Sequence, residues 1–225
     1  MQDMSTSYRQ RAVCSVLLTG LPDQFHINMM QSAGAFLLFL EHFPNEQKIT
    51  SQAKPFFDAL CGGYLDAARA IAKLSRDTWH EGYEYQEDFL YAWFLMQLVL
   101  GQQSTKDLEL LVDRLDVTQA GAEPEKVAMS RALLARDSSS FNATLAAMLT
   151  KRRDTIEVMI ERGSLKEEFW SWLRYFSGEG LALVRIAEHL GIATEQNYLH
   201  IPELLRTPAA WTFDPHAWHV IDYSA

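Results

Sequence analysis

The chain has 225 residues, of which 48% are hydrophobic, and its formal net charge is -9. This apolar content supports a folded core and excludes a disordered chain, and the length suits one large domain or two small ones. The acidic balance disfavours binding to nucleic acid or to a membrane surface, and two cysteines are too few for a disulfide scaffold and favour a reducing compartment.

The N-terminal segment has some features of a signal peptide. Arg9 and Arg11 precede the apolar run AVCSVLLTGL, but no small-residue cleavage pattern follows it, and Pro22 comes directly after. The longest apolar run, FLYAWFLM at 89–96, is far too short to span a bilayer. We therefore expect a soluble, cytoplasmic protein that binds no membrane.

Helical periodicity dominates the chain up to about residue 190, and strand patterns are scarce. Stop signals such as Pro44 and Gly101 follow these segments, and Ser104 and Pro124 begin new ones. The predicted helices cover about 24–43, 51–61, 87–100, 124–136 and 179–190, with further helical segments around 64–72, 105–116, 141–149, 156–160 and 169–176.

These segments predict an all-α fold. The 87–100 segment is apolar on nearly every side, which places it in the middle of a bundle. Short turns between consecutive helices favour helical hairpins, and no linker rich in Pro, Gly or Ser divides the chain. We predict one domain over 1–225, with about nine to ten helices packed as hairpins and an irregular C-terminal tail from about residue 192.

The end of the tail is rich in aromatic residues, with Trp211, Phe213, Trp218 and Tyr223. Aromatic residues at this density can anchor an interface with another protein, or they can strap the tail onto the domain's own core. We favour strapping, because an exposed tail this apolar would promote aggregation.

Motifs for catalysis or metal binding are missing from the sequence. It has no phosphate loop, dinucleotide fingerprint, nucleophile elbow or zinc-protease motif. His216 with His219, and His80 with Glu84, have the spacing of paired metal ligands on a helix, but no third and fourth ligand accompany them. We predict a protein that is not an enzyme, with no metal and no cofactor.

Two groups of acidic residues have competing interpretations. Glu87 and Asp88 could take part in acid–base chemistry, but acids at the start of a helix more often stabilise its N-terminus, and we favour that role. Glu84, one turn earlier, is expected to be free to face a partner. Glu179 lies in an apolar neighbourhood, where a buried acid is usually paired, and we predict a structural ion pair between Glu179 and Arg131.

The negative charge is concentrated in one part of the chain. Residues 77–125 contain eleven acids and two bases, so the rest of the chain is balanced. Such a surface would attract a basic protein, although acids on solvated helix faces can also cluster by chance. The 105–116 segment places Glu109, Asp113 and Asp116 along one solvent side.

Four segments carry a resemblance to a known family. They are YEYQEDFLYAWFLMQLVL (83–100), ALCGGYLDAARAIA (59–72), SRALLARDSSSF (130–141) and FSGEGLALVRIAEHLGIATEQNYLHIPELLR (176–206). Together, over about 50–207, they resemble the immunity protein 49 family of bacterial polymorphic-toxin antidotes. The sequence departs from the family at His200-Ile201-Pro202, where a cysteine and a proline are expected, and the tail at 208–225 lies beyond the resemblance.

The resemblance implies a helical, non-catalytic protein that binds and blocks one toxin, encoded by an adjacent gene. Toxins that attack nucleic acid have basic grooves, so the acidic stretch points to a nuclease-type toxin whose active site is occluded. The alternatives are a helical-repeat scaffold with another protein partner, although no clean repeat is present, and an all-helical enzyme of unknown type. The candidate toxin-binding residues are Glu81, Glu84, Glu87, Asp88, Glu109, Asp113 and Asp116.

Overall fold

The computed structural model describes residues 2–167 and 172–219. Within these ranges the chain forms nine named α-helices and no β-strand, which confirms the all-α prediction. The helices are α1 Gln2–Thr19, α2 Asp23–His42, α3 Lys54–Cys61, α4 Leu65–Leu74, α5 Gln86–Leu100, α6 Thr105–Gln119, α7 Pro124–Ala135, α8 Ser138–Glu161 and α9 Gly178–His189.

Helices that follow one another in the chain pack against one another. Contacts join each helix from α1 to α7 to the helix that follows it. α9 returns to pack on α3, and α2 also contacts α4, so the first four helices and α9 share one core. The predicted helical hairpins are present from α5 to α8, where the connections are two to four residues long.

α1 was not predicted, because its apolar residues do not form a single stripe at helical spacing. It nevertheless buries Tyr8, Ala12, Val13 and Val16 in the core. Most of the apolar run that resembled a signal peptide, up to Thr19, is therefore part of this helix, which packs against α2.

α5 is the central helix that its sequence predicted. Phe89, Leu90, Phe94 and Leu95 are at most 4% exposed. Gly101 ends the helix in the left-handed conformation, with φ of 65°, which glycine adopts without steric cost. In the described part of the chain, α5 packs against α4, α6, α7 and the turn at Thr50–Gln52.

Helix boundaries differ from the prediction in two places. α3 begins at Lys54, because residues Thr50–Gln52 form a separate 3-10 turn and Pro55 suits the first turn of the helix. The segments at 141–149 and 156–160 belong to one helix, α8, capped by the Asp137 side chain. Just after α8, the hydroxyl of Ser164 donates to the carbonyl of Met159 at 3.0 Å.

Part of the C-terminal tail is strapped onto the core, as predicted. The Tyr8 hydroxyl donates to the carbonyl of Trp218 at 2.8 Å, and the ring of Phe213 lies 5.8 Å from that of Tyr64. The tail backbone lies so close to α2 that a Cβ atom added at Gly34 would be 2.7 Å from the carbonyl oxygen of Pro215. Trp211 remains 38% exposed, and the predicted contribution of Tyr223 lies outside the described residues.

Candidate functional site

The loop between α4 and α5 is held in place by Glu84. Its Oε2 accepts the backbone N–H of Ser51 at 2.8 Å, and its Oε1 accepts the backbone N–H of His80 at 3.2 Å. The Trp79 indole N–H donates to the carbonyl of Glu84 at 2.9 Å. The expectation that Glu84 is free for a partner is therefore wrong, because its carboxylate satisfies backbone donors within the fold.

Two tyrosines project from this fixed loop into solvent. Tyr83 is 66% exposed and Tyr85 is 74% exposed. Together with Glu81 and Glu87 they line an open cavity with a volume of about 950 Å³. We call this cavity the tyrosine depression. Neither tyrosine is among the binding residues predicted from the sequence, although the alternation of aromatic and acidic residues in YEYQED could have indicated them.

Half of the other six candidate acids are already engaged in ion pairs. Asp88, in the first turn of α5, forms an ion pair with Lys126 at 2.8 Å. On α6, Asp116 pairs with Arg131 at 2.8 Å, and Asp113 lies 3.7 Å from the same guanidinium. The acidic side of α6 is therefore partly neutralised by a base on α7.

The other three candidate acids have no ion-pair partner within 4 Å among the described residues: Glu81, Glu87 and Glu109. Thr118, near the end of α6, lines the tyrosine depression, so the depression and α6 adjoin. Glu109 lies nine residues earlier on the same helix, or about 14 Å along its axis.

The predicted ion pair between Glu179 and Arg131 is not the arrangement in the structure, since Arg131 lies with the acids of α6. Glu179 instead lines a cavity of about 440 Å³, which we call the Glu179 cavity. The sequence could not reveal this, because the cavity is assembled from residues of α1, α3, α5, α7, α8 and the start of α9. Glu179 is exposed, and it also lines a second cavity of about 400 Å³ that shares Lys126 and Arg152 with this one.

Charged and aromatic groups surround Glu179. Arg152 donates to the carbonyls of Leu173 and Phe176 at 2.7 and 2.8 Å, which holds the chain that leads into α9. Desolvation within the protein raises the pKa of Glu179, and nearby Lys126 opposes part of that rise. The pKa of buried Tyr91 is raised mainly by burial and also by the adjacent Glu179 carboxylate.

Two residue pairs have the sequence spacing of metal ligands, and the structure shows how each is arranged. His216 and His219 have ring centroids 6.2 Å apart, and the Glu84 carboxylate contacts the backbone of His80. No group of three or more potential ligands that could hold a metal ion occurs in the part of the chain that the structure describes. Within the same residues, no helix is both long enough and apolar enough to cross a membrane.

Comparison with known proteins agrees with the resemblance found in the sequence. No curated protein and no solved structure matches the chain significantly. A sequence model of the family described as Immunity protein 49 matches residues 26–205, which include both the tyrosine depression and most of the lining of the Glu179 cavity. The chain therefore belongs to the immunity protein 49 family.

Proposed function

We propose that this protein binds and neutralises one cognate bacterial toxin, encoded by an adjacent gene, by covering the toxin's active site without any catalysis of its own. It would act in the cytoplasm of the producing cell. Family membership supports the general role of immunity protein. The choice of surface and of toxin class rests on the exposed side chains described above.

The tyrosine depression is the observation that carries the proposal. Tyrosine is enriched among the residues that dominate binding energy at protein interfaces, because it buries a large area with few rotatable bonds. Tyr83 and Tyr85 present such side chains on a loop that Glu84 fixes before any partner binds. A preformed surface loses less conformational entropy on association, which favours tight binding.

The unpaired acids support a basic toxin, most simply a nuclease. A nuclease groove is lined with cations because its substrate is a polyanion. Glu81 and Glu87 border the two tyrosines, and Glu109 lies on the adjoining helix. These carboxylates would take the place of substrate phosphates and would also accelerate encounter by electrostatic steering.

Co-expression with the product of the adjacent gene tests the proposal. We expect a one-to-one complex and restored growth when the toxin is induced. The double variant Tyr83→Ala, Tyr85→Ala should lose both, whereas Leu18→Ala, which alters a side chain 85% exposed on α1, should retain them. A wild-type protein that forms no complex and gives no rescue would contradict the antidote function and favour a scaffold with another partner.

A further inference from the structure

The Glu179 cavity has aromatic walls. Tyr91, Trp172 and Phe176 are buried residues that line it, and Phe57 completes the lining from α3. The hydroxyl of Tyr91, which is 4% exposed, has no hydrogen-bond partner within normal distance among the described residues, although Glu179 lies near it. Aromatic faces and an unsatisfied hydroxyl suit a ligand that carries N–H donors and a positive charge.

Most charges around the cavity are already used. Arg9 and Asp58 neutralise each other through two contacts of 2.6 Å. Lys126 serves two carboxylates at once, with Asp88 at 2.8 Å and Glu123 at 2.5 Å. One half-buried cation is therefore shared by two acids.

Glu179 is the acid left over. It has no ion-pair partner within 4 Å in the described ranges, 2–167 and 172–219. Arg152 is bonded to carbonyl groups and interacts with Glu179 only at longer range, and Lys54 at the rim is exposed, so solvent screens its charge. Among the carboxylates that line the cavity, Asp58 and Asp88 thus have cationic contact partners, and Glu179 is the one without a cation within 4 Å in the described part of the chain.

The cavity is continuous with the proposed toxin-binding surface. Ser51 and Asp88 line both the Glu179 cavity and the tyrosine depression. A partner seated on Tyr83 and Tyr85 would therefore lie beside the mouth of the cavity. The cavity is large enough for an extended basic side chain, since its volume is about 440 Å³.

We propose that this cavity receives one lysine or arginine side chain of the toxin, with Glu179 as its counter-ion. This inference rests on the proposed function and names the contact that anchors it. Tyr91 would accept one hydrogen bond from the inserted group, and the aromatic walls would cover its apolar stem. Glu179 then becomes a central residue of the interface rather than a structural one.

The cavity can be tested without the toxin by titration with ethylguanidinium chloride. The readout is the NMR signal of the Trp172 indole N–H, a buried group with no hydrogen-bond partner among the described residues, together with the Gly178 amide. We expect saturable shifts in the wild type and in the control Glu41→Gln, whose side chain is exposed at the end of α2. Glu179→Gln should show only the shifts that sodium chloride produces.

Wild-type shifts that do not saturate, or equal shifts in a folded Glu179→Gln protein, would overturn the proposal. The second arm uses the toxin: Glu179→Gln should weaken the complex about tenfold or more, and Glu41→Gln should not change it. If the wild type neutralises the toxin and Glu179→Gln binds it equally well, the inserted side chain is ruled out while the antidote function stands. If the wild type neutralises no toxin, the proposed function itself fails.

Discussion

Arg9 and Asp58 form a bidentate ion pair inside the core, with Nε and Nη2 of the guanidinium each 2.6 Å from a carboxylate oxygen. The Asp58 side chain is 2% exposed, and it also accepts the hydroxyl of Ser32 at 2.6 Å. Three helices, α1, α2 and α3, therefore meet at one carboxylate. The pair fixes the position of an N-terminal helix whose apolar pattern alone would not specify it.

Replacing one partner of this pair should be strongly destabilising. Asp58→Asn leaves Arg9 buried without a counter-charge, and the free energy of unfolding should fall by about 3–5 kcal/mol. Urea denaturation measures the change. Asp66→Asn removes an acid from the exposed pair with Arg69 and should change stability little. Equal effects of the two substitutions would contradict the structural role of Asp58.

Gly34→Ala should loosen the C-terminal tail. The new methyl group would lie 2.7 Å from the carbonyl oxygen of Pro215, a distance that backbone movement must relieve. We expect a loss of about 1–3 kcal/mol, measured by thermal unfolding. The same substitution in a chain shortened to residue 207 is the control, because without the tail it should cost nothing. A cost that persists in the shortened chain would place the strain elsewhere.

Glu179 should make the protein less stable as the pH rises. Its pKa in the folded state is raised by desolvation above the unfolded value of about 4.3. The carboxyl group is protonated in both states below about pH 4, and the protein loses stability as the pH rises through the folded pKa. Glu179→Gln should therefore unfold at higher urea concentration than the wild type at pH 7, with the difference vanishing near pH 4.

A wild type that is equally or more stable than Glu179→Gln at pH 7 would mean that a cation already compensates the carboxylate. Glu41→Gln, at the exposed end of α2, controls for the loss of one surface charge. The urea concentration at which it is half unfolded should change with pH in the same way as that of the wild type.

Reversing the acids of α6 tests electrostatic steering. In the triple variant Glu109→Lys, Asp113→Lys, Asp116→Lys, the new lysines at 113 and 116 lie beside Arg131. This whole side of the helix then becomes basic. Association with the toxin should slow about tenfold or more at low salt, and its salt dependence should flatten. Stopped-flow or surface-plasmon measurements give both quantities.

The control has the same change in net charge at exposed acids outside this face: Glu41, Glu46 and Glu161. It should associate faster than the α6 variant. If the association rate falls by the same factor in both variants, overall charge and not the α6 face guides the encounter.

The sequence predicted the helices whose patterns are local. α5 is apolar all round and ends in a glycine, and Ser104 caps α6 through the N–H of Asp107, so periodicity and caps were sufficient there. α1 escaped prediction because its position depends on Arg9 and on cover from α2. Burial of that kind depends on residues distant in the chain.

The candidate site was less predictable, for the same reason. Composition located the acidic stretch, yet only the folded chain shows that Glu84 binds backbone donors and that Asp88 is paired with Lys126. Glu179 was expected to pair with Arg131. In the structure Arg131, on α7, contacts the acids of α6, whereas Glu179, on α9, lines the cavity. Charge in a sequence does not indicate which carboxylates remain unneutralised after folding.

The contact between Tyr8 and Trp218 has a consequence for the order of folding. It joins residues 210 positions apart, so the outer cover of α1 and α2 cannot close until Trp218 has emerged from the ribosome. Contacts at such sequence separation form late, because the entropy of closing a long loop must be overcome first. A nascent chain that stalls after α9 would therefore carry the helical hairpins but leave its first two helices without that cover.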